Sequence, residues 1–204
     1  NGTIYKDEIA EISQKFNQFH LGISIETVTD LNDYVRWPGK IGEILHNIDK
    51  FCELRSKSNL FISLRITPNI FTIYEIDQLI QYMLDRDIPA ESCNILAHPS
   101  CLRMELLPED IRKEVLEKLD SVIDRNQLSF AGTVNTRVNT EIRSTISDLA
   151  ISYRRFLSEY SVPDNVESQR KDLARYLKAF ERLRGNRILD HAPRYEEFLR
   201  HYGY

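Results

Sequence analysis

Residues 21–27 read LGISIET, the first stretch of the sequence with the pattern of a strand. Its apolar side chains alternate with small or polar ones: Leu21, Ile23 and Ile25 against Gly22, Ser24 and Glu26. A period of two predicts a β-strand with one apolar face and one polar face.

The same alternation returns at residues 60–66, LFISLRI, and a third short strand is predicted near residues 92–96. Apolar side chains spaced three and four apart predict amphipathic helices over residues 41–52 and 73–84, between these strands, and over residues 6–19 before them. Alternation of strands and helices is typical of parallel βαβ units. We therefore expect residues 1–107 to form a parallel α/β unit.

The rhythm of strands stops after Pro99, and the remaining sequence is predicted to be helical. Pro108 is expected to open a helix, since proline fits the first helical turn. A long helix is expected over residues 135–160, and another follows Pro163. The predicted fold class is thus α/β, with a helical C-terminal region over residues 108–204.

Composition excludes several functional classes. The chain has 27 basic and 31 acidic residues for a net charge of −4, without a long block of like charge, which argues against a nucleic-acid partner. No apolar run approaches the roughly 18 residues of a membrane span. The three cysteines, Cys52, Cys93 and Cys101, have neither metal-ligand spacing nor an even number. A reducing compartment follows, so we expect a cytoplasmic protein without a membrane partner.

Two features favour a piece of a longer protein. The sequence starts at Asn1, and its only methionines are Met83 and Met104. Three parallel strands also make a narrow sheet, because parallel sheets are usually wider and covered on both faces. We therefore expect further strands upstream.

Several short motifs occur in a fixed order along the chain. They are ISIE at 23–26, YVRWP at 34–38, NIL at 94–96 with Pro99, LP at 107–108, RG at 184–185, LD at 189–190 and PRYEEF at 193–198. This order resembles the C-terminal half of radical S-adenosylmethionine enzymes of the twitch-domain-containing type. Glu26 and Thr27 stand where that family has Asp and Gly, and the family's CxxxCxxC motif is absent from this sequence.

The resemblance implies the C-terminal strands of a partial (β/α) barrel that helps to enclose S-adenosylmethionine. A four-iron four-sulfur cluster is then expected only in the full-length protein, and this chain alone should lack cluster-dependent activity. By resemblance, Ser24 and Glu26 hydrogen-bond the ribose hydroxyls of the cofactor, and Arg36 binds its carboxylate. Arg65, on the polar side of the next strand with Ser63, is expected to line the same cavity.

Other interpretations stay open from the sequence. Ser24 and Glu26 also fit a solvated strand face, Arg36 could pair with Asp30 or Asp33, and Asn69 suits a turn cap. The substrate implied by the resemblance is a small molecule or a peptide, and the oligomeric state is undetermined. The rival function is a non-catalytic helical interaction module on an α/β scaffold. A degenerate barrel with another small-molecule ligand is a third possibility.

Overall fold

Three parallel strands form the sheet of the computed structural model, which describes residues 2–55, 57–128 and 139–204. They are β1 (Phe19–Ser24), β2 (Leu60–Ile66) and β3 (Ala90–Cys93), in the spatial order β1-β2-β3. The predicted parallel arrangement is confirmed, and β2 has the predicted bounds. β1 covers residues 19–24 instead of the expected 21–27, and β3 covers residues 90–93 instead of 92–96.

The register of the sheet places its polar side chains on one face. Gly22 lies opposite Ser63, and Ser24 lies opposite Arg65. Between β2 and β3 the register shifts by one residue, so that Glu91 is the extra residue of a β-bulge. Bulges of this kind redirect side chains locally, and this one leaves Glu91 within hydrogen-bond distance of Ser63 and Arg65.

The apolar strand positions share one core with the connecting helices. α3 (Ile41–Arg55) packs against β2, and α4 (Ile76–Asp85) follows a single 3-10 turn. Both helices bury the predicted apolar stripes: Ile44, Ile48 and Phe51 in α3, and Ile76, Leu79, Ile80 and Met83 in α4. Hydrophobic burial of these stripes therefore holds the helices on the sheet.

Two helices near the N-terminus differ from the sequence expectation. α1 covers only Glu8–Ser13 instead of residues 6–19: Phe16 lies beyond its end with about half of its surface exposed, and Phe19 already begins β1. A short helix that the sequence did not predict, α2 (Leu31–Val35), follows β1.

The second half of the chain is helical, as predicted. Its helices are α5 (Glu109–Asn126), α6 (Asn139–Glu159), α7 (Val166–Arg184) and α8 (Glu196–His201). Pro108 lies immediately before α5 rather than inside it. The start expected for α6, residues 135–138, lies outside the described residues.

The helical region is joined to the sheet at both ends. The Ala90 N–H donates to Thr145 Oγ1 at 3.2 Å, which links β3 to α6. Tyr195 is fully buried, with its hydroxyl donating to the Ile70 carbonyl and its ring 4.9 Å from that of Phe71. One hydrophobic core runs through both halves, and a domain division at residue 107 stays a prediction. Within the described ranges, every helix is too short or too polar to cross a membrane.

Candidate functional site

A cleft of about 650 Å³ opens where the three strands end. The segment after each strand contributes to its lining: Glu26 after β1, Thr67 and Asn69 after β2, and Leu96 after β3. Because the strands are parallel, their carboxyl ends meet at the same edge of the sheet, where α/β proteins commonly bind ligands.

Glu26 is the buried charged group of this cleft, with only 7% of its surface exposed. Its Oε1 accepts a hydrogen bond from Nη2 of Arg36, and its Oε2 accepts one from the Thr67 N–H at 2.8 Å. Burial raises the pKa of the Glu26 carboxyl above its ordinary value, while Arg36 and the Thr67 N–H partly oppose this rise. The carboxyl is therefore held in one position by donors from two different segments.

The segment around α2 brings Arg36 to Glu26. Asn32 is fully buried, and its Oδ1 accepts the Glu26 N–H at 3.1 Å, which folds the chain back on the end of β1. Asp33 Oδ1 accepts the Ile41 N–H at 2.5 Å at the start of α3. Both ends of the connection are thus fixed by side chains of α2.

The alternative pairing of Arg36 with an aspartate of this loop is not what the structure shows. Asp33 contacts Lys40 at 3.4 Å, and Asp30 contacts His191 Nδ1 at 3.1 Å. Arg36 forms its ion pair with Glu26 instead. Asp30 and Asp33 therefore form contacts outside the Glu26–Arg36 pair, and Arg36 is available in the cleft lining.

Some binding capacity remains in the cleft. Within the described part of the chain, the buried Nε of Arg36 has no hydrogen-bond partner. Each carboxylate oxygen of Glu26 has a further lone pair for an incoming donor. At the rim, 53% of Trp37 is exposed, with the Arg184 guanidinium 5.2 Å from its ring centroid. The cleft can thus accept hydroxyl donors next to an exposed aromatic surface.

The four residues predicted for one site are divided by the structure. Glu26 and Arg36 meet in the cleft, whereas Arg65 lines a second cavity of about 320 Å³ on the polar face of the sheet. Ser24 is half-buried and is not among the residues that line either space. Arg65 therefore lines a different space from Glu26, and the cofactor-binding roles expected for these residues stay predictions.

The space next to Gly22 is filled by two side chains. A Cβ at Gly22 would lie 2.5 Å from Oε2 of Glu91 and 2.7 Å from Nε of Arg65. These two atoms are themselves 2.6 Å apart. The missing side chain therefore accommodates an ion pair.

Asn69 caps the turn that follows β2, as the sequence suggested. Its Oδ1 accepts the N–H groups of Phe71 at 2.9 Å and Thr72 at 3.1 Å. The same residue also lines the cleft, so the turn fixes one wall of the site.

Sequence reasoning missed three groups near the strand ends. Glu75 accepts hydrogen bonds from Thr27 Oγ1 and Thr29 Oγ1, each at 2.5 Å, and thereby ties the β1 end to the turn before α4. No local pattern signals this contact across more than 40 residues. Trp37 and Glu91 were missed as well, although an aromatic side chain beside a proline and a carboxylate beside a predicted strand were both visible.

In the part of the chain that the structure describes, the side chains do not form a set of ligands for a metal cluster. Cys52 is half-buried, Cys93 exposed and Cys101 buried, and all three are free thiols. Burial raises the pKa of each of these thiols. Groups of three or more His, Cys, Asp or Glu side chains that could hold a metal ion are absent from the described ranges.

Comparison with known proteins adds no assignment. No family model, curated protein or solved structure matches the chain. The geometry of the cleft and the motifs of the sequence are therefore the basis for a function.

Proposed function

We propose that the cleft binds S-adenosylmethionine and that the chain is the C-terminal part of a radical S-adenosylmethionine enzyme. The observation that carries the proposal is the buried Glu26 carboxyl, held by Arg36 and by the Thr67 N–H at the carboxyl end of a parallel strand. The motif order of the sequence favours this family, and the cleft is the candidate binding site for the cofactor.

The buried Glu26 carboxylate is unfavourable for folding, which favours a functional role for it. Removing a charge from water is unfavourable even when the charge is paired, so an apolar pair at this place could stabilise the fold as well. A carboxyl with a perturbed pKa in a cleft is a typical functional group. In our proposal, Glu26 accepts hydrogen bonds from the two ribose hydroxyls, because it lines the cleft and each of its oxygens can accept a second hydrogen bond.

Arg36 has two roles in this proposal. Its Nη2 orients Glu26, and its remaining N–H groups face the carboxylate of the methionine part of the cofactor. An arginine is suited to both tasks, since its donors form a rigid planar fork. Trp37 contributes an apolar surface at the rim that limits access of water.

With a reduced four-iron four-sulfur cluster, S-adenosylmethionine supplies radical hydrogen abstraction from a substrate. The residues described here do not form a site for that cluster. The proposal therefore requires a segment with a CxxxCxxC loop to supply the ligands, and it assigns to this chain only binding and orientation.

Binding of the cofactor to the 204-residue chain tests the proposal. Isothermal titration calorimetry would compare S-adenosylmethionine, adenosine and 2′-deoxyadenosine. Loss of one charge-assisted hydrogen bond corresponds to about tenfold to a hundredfold in affinity, so adenosine should bind better than 2′-deoxyadenosine by about that factor. Glu26→Gln should remove this preference.

Arg154→Gln is the matched control, because Arg154 forms an ion pair with Asp120 far from the cleft lining. It should bind all three compounds like the parent chain. Equal affinity for adenosine and 2′-deoxyadenosine, or no binding of S-adenosylmethionine at about 1 mM, would refute the proposal and favour the interaction module.

A further inference from the structure

The second cavity lies on the polar face of the sheet, beneath α6. Its floor is formed by Gly22, Ser63 and the Arg65–Glu91 ion pair, and Ile142 and Thr145 contribute from α6. Its volume of about 320 Å³ suits a small molecule. The lining differs entirely from that of the cleft at the strand ends.

The Arg65–Glu91 ion pair leaves part of the guanidinium and one carboxylate oxygen available to a ligand. Arg65 uses only Nε to reach Glu91 Oε2, and among the described residues its two Nη atoms have no hydrogen-bond partner. Glu91 Oε2 also accepts from Ser63 Oγ at 3.2 Å, whereas its Oε1 has no partner in the same ranges. More than half of the Arg65 side chain and about a third of the Glu91 side chain are exposed. A ligand can therefore reach both groups.

Next to these charges lies an apolar wall. The rings of His20 and Phe61 have centroids 4.9 Å apart, and Pro89, Ala90 and Ile142 complete the wall. The cavity thus offers a cationic fork, a carboxylate oxygen and an apolar surface within one small space. Few small ligands satisfy all three.

We infer that this cavity binds a free α-amino acid with an aromatic or aliphatic side chain. The carboxylate of the ligand lies against the Nη atoms of Arg65, which match it in a bidentate arrangement. Its ammonium donates to Oε1 of Glu91, and its side chain packs against Phe61 and Ile142. The assignment is independent of the function proposed for the cleft, because the two spaces share no lining residue.

Titration with L-phenylalanine and two truncated analogues tests the inference on the full chain. The analogues are 3-phenylpropanoate, which lacks the ammonium, and phenethylamine, which lacks the carboxylate. Calorimetry or ligand-observed NMR should show L-phenylalanine binding at least about tenfold tighter than either analogue, since each loses one charge-assisted contact. L-Leucine and L-methionine should bind as well.

Substitutions separate the two charged contacts. Arg65→Gln should weaken L-phenylalanine at least about tenfold, and Glu91→Gln should abolish its advantage over 3-phenylpropanoate. Gly22→Ala should also weaken binding, because the added Cβ meets Glu91 Oε2 at 2.5 Å and displaces the pair. Arg154→Gln, which removes a surface pair of similar length (2.6 Å) elsewhere, should leave binding unchanged. Circular dichroism checks that each variant folds.

The inference is overturned if none of the three amino acids binds at about 10 mM, or if either analogue binds as well as L-phenylalanine. Binding that survives Arg65→Gln also overturns it. Arg36→Gln distinguishes this result from the cleft proposal, since it should weaken S-adenosylmethionine and leave L-phenylalanine unaffected. Either proposal can therefore fail without the other.

Discussion

Removal of the Arg36 side chain tests the energetics of the cleft most directly. In the parent structure only 7% of Glu26 is exposed; in Arg36→Met, Glu26 keeps the hydrogen bond from the Thr67 N–H but loses its positively charged partner. Leaving one partner of a buried ion pair alone typically destabilises a protein by about 3–5 kcal/mol. Because the Arg36 side chain is 29% exposed and the cleft admits water, we expect about 2–3 kcal/mol here.

Urea unfolding at neutral pH, followed by circular dichroism, measures this loss. For a chain of this length it corresponds to a decrease of about 4–12 °C in Tm. In a double-mutant cycle, Glu26→Gln combined with Arg36→Met should be less destabilised than the sum of the two single changes, because the double variant has no unpaired buried charge.

Arg154→Met is the control, since its ion pair with Asp120 is about half exposed on both sides and surface pairs contribute about 0–1 kcal/mol. If Arg36→Met changed the free energy of unfolding no more than Arg154→Met, the Glu26–Arg36 pair would have no structural role. Strict additivity in the cycle would lead to the same conclusion.

Three further predictions concern the fold around the cleft. The Glu26 carboxyl has a folded-state pKa above its ordinary value of 4.5. Its contribution to stability is therefore present below pH 4.5 and is lost as the pH rises through the raised pKa. The difference in urea midpoint between the parent and Glu26→Gln should change between pH 4.5 and the raised pKa and should be constant above it. Tyr195→Phe leaves the buried Ile70 carbonyl without its donor and should lower the free energy of unfolding by about 1–3 kcal/mol. Tyr176→Phe is the control, because the Tyr176 hydroxyl has no hydrogen-bond partner among the described residues, and it should leave the urea midpoint unchanged. Gly42 lies in α3, and beyond its chain neighbours and the backbone of its own helix no heavy atom lies within 4 Å of an added Cβ. Gly42→Ala should therefore increase the free energy of unfolding by about 0.5–1 kcal/mol and raise Tm. Gly185→Ala should lower Tm, because Gly185 has a φ of +73° after α7.

Regular patterns made the strands and most helices predictable from the sequence. Residues 60–66 alternate without interruption and form β2 with those bounds, because one strand face is apolar and the other faces the second cavity. α1 was overestimated, since apolar spacing alone does not supply a surface against which Phe16 could pack. The strand predicted over residues 92–96 starts two residues and ends three residues too late, because Glu91, a charged side chain in a bulge, interrupts the alternation that marks the start of the strand.

The candidate site was predictable as a set of residues but not as an arrangement. Glu26 and Arg36 are ten positions apart, and their contact depends on α2 and on the Asn32 hydrogen bond to the Glu26 N–H. Neither feature has a sequence signal, because α2 has only five residues. The sequence could therefore identify a carboxylate and a guanidinium without showing that they pair.

The separation of Arg65 from Glu26 has a simple geometric origin. β1 ends at Ser24, so the chain leaves the sheet before Glu26, while Arg65 remains inside β2 opposite Ser24. Strict alternation would place Ser24 and Glu26 on the face that Arg65 shares, but alternation applies only while both residues lie in the strand. Glu26 therefore lines the cleft at the edge of the sheet, whereas Arg65 lines the cavity on its polar face. Because the two spaces are separate, shortening the Arg65 side chain should leave the Glu26–Arg36 pair intact, and the coupling measured in the double-mutant cycle should be the same in an Arg65→Gln background. A changed coupling would show that the two spaces communicate and would contradict the division into two sites.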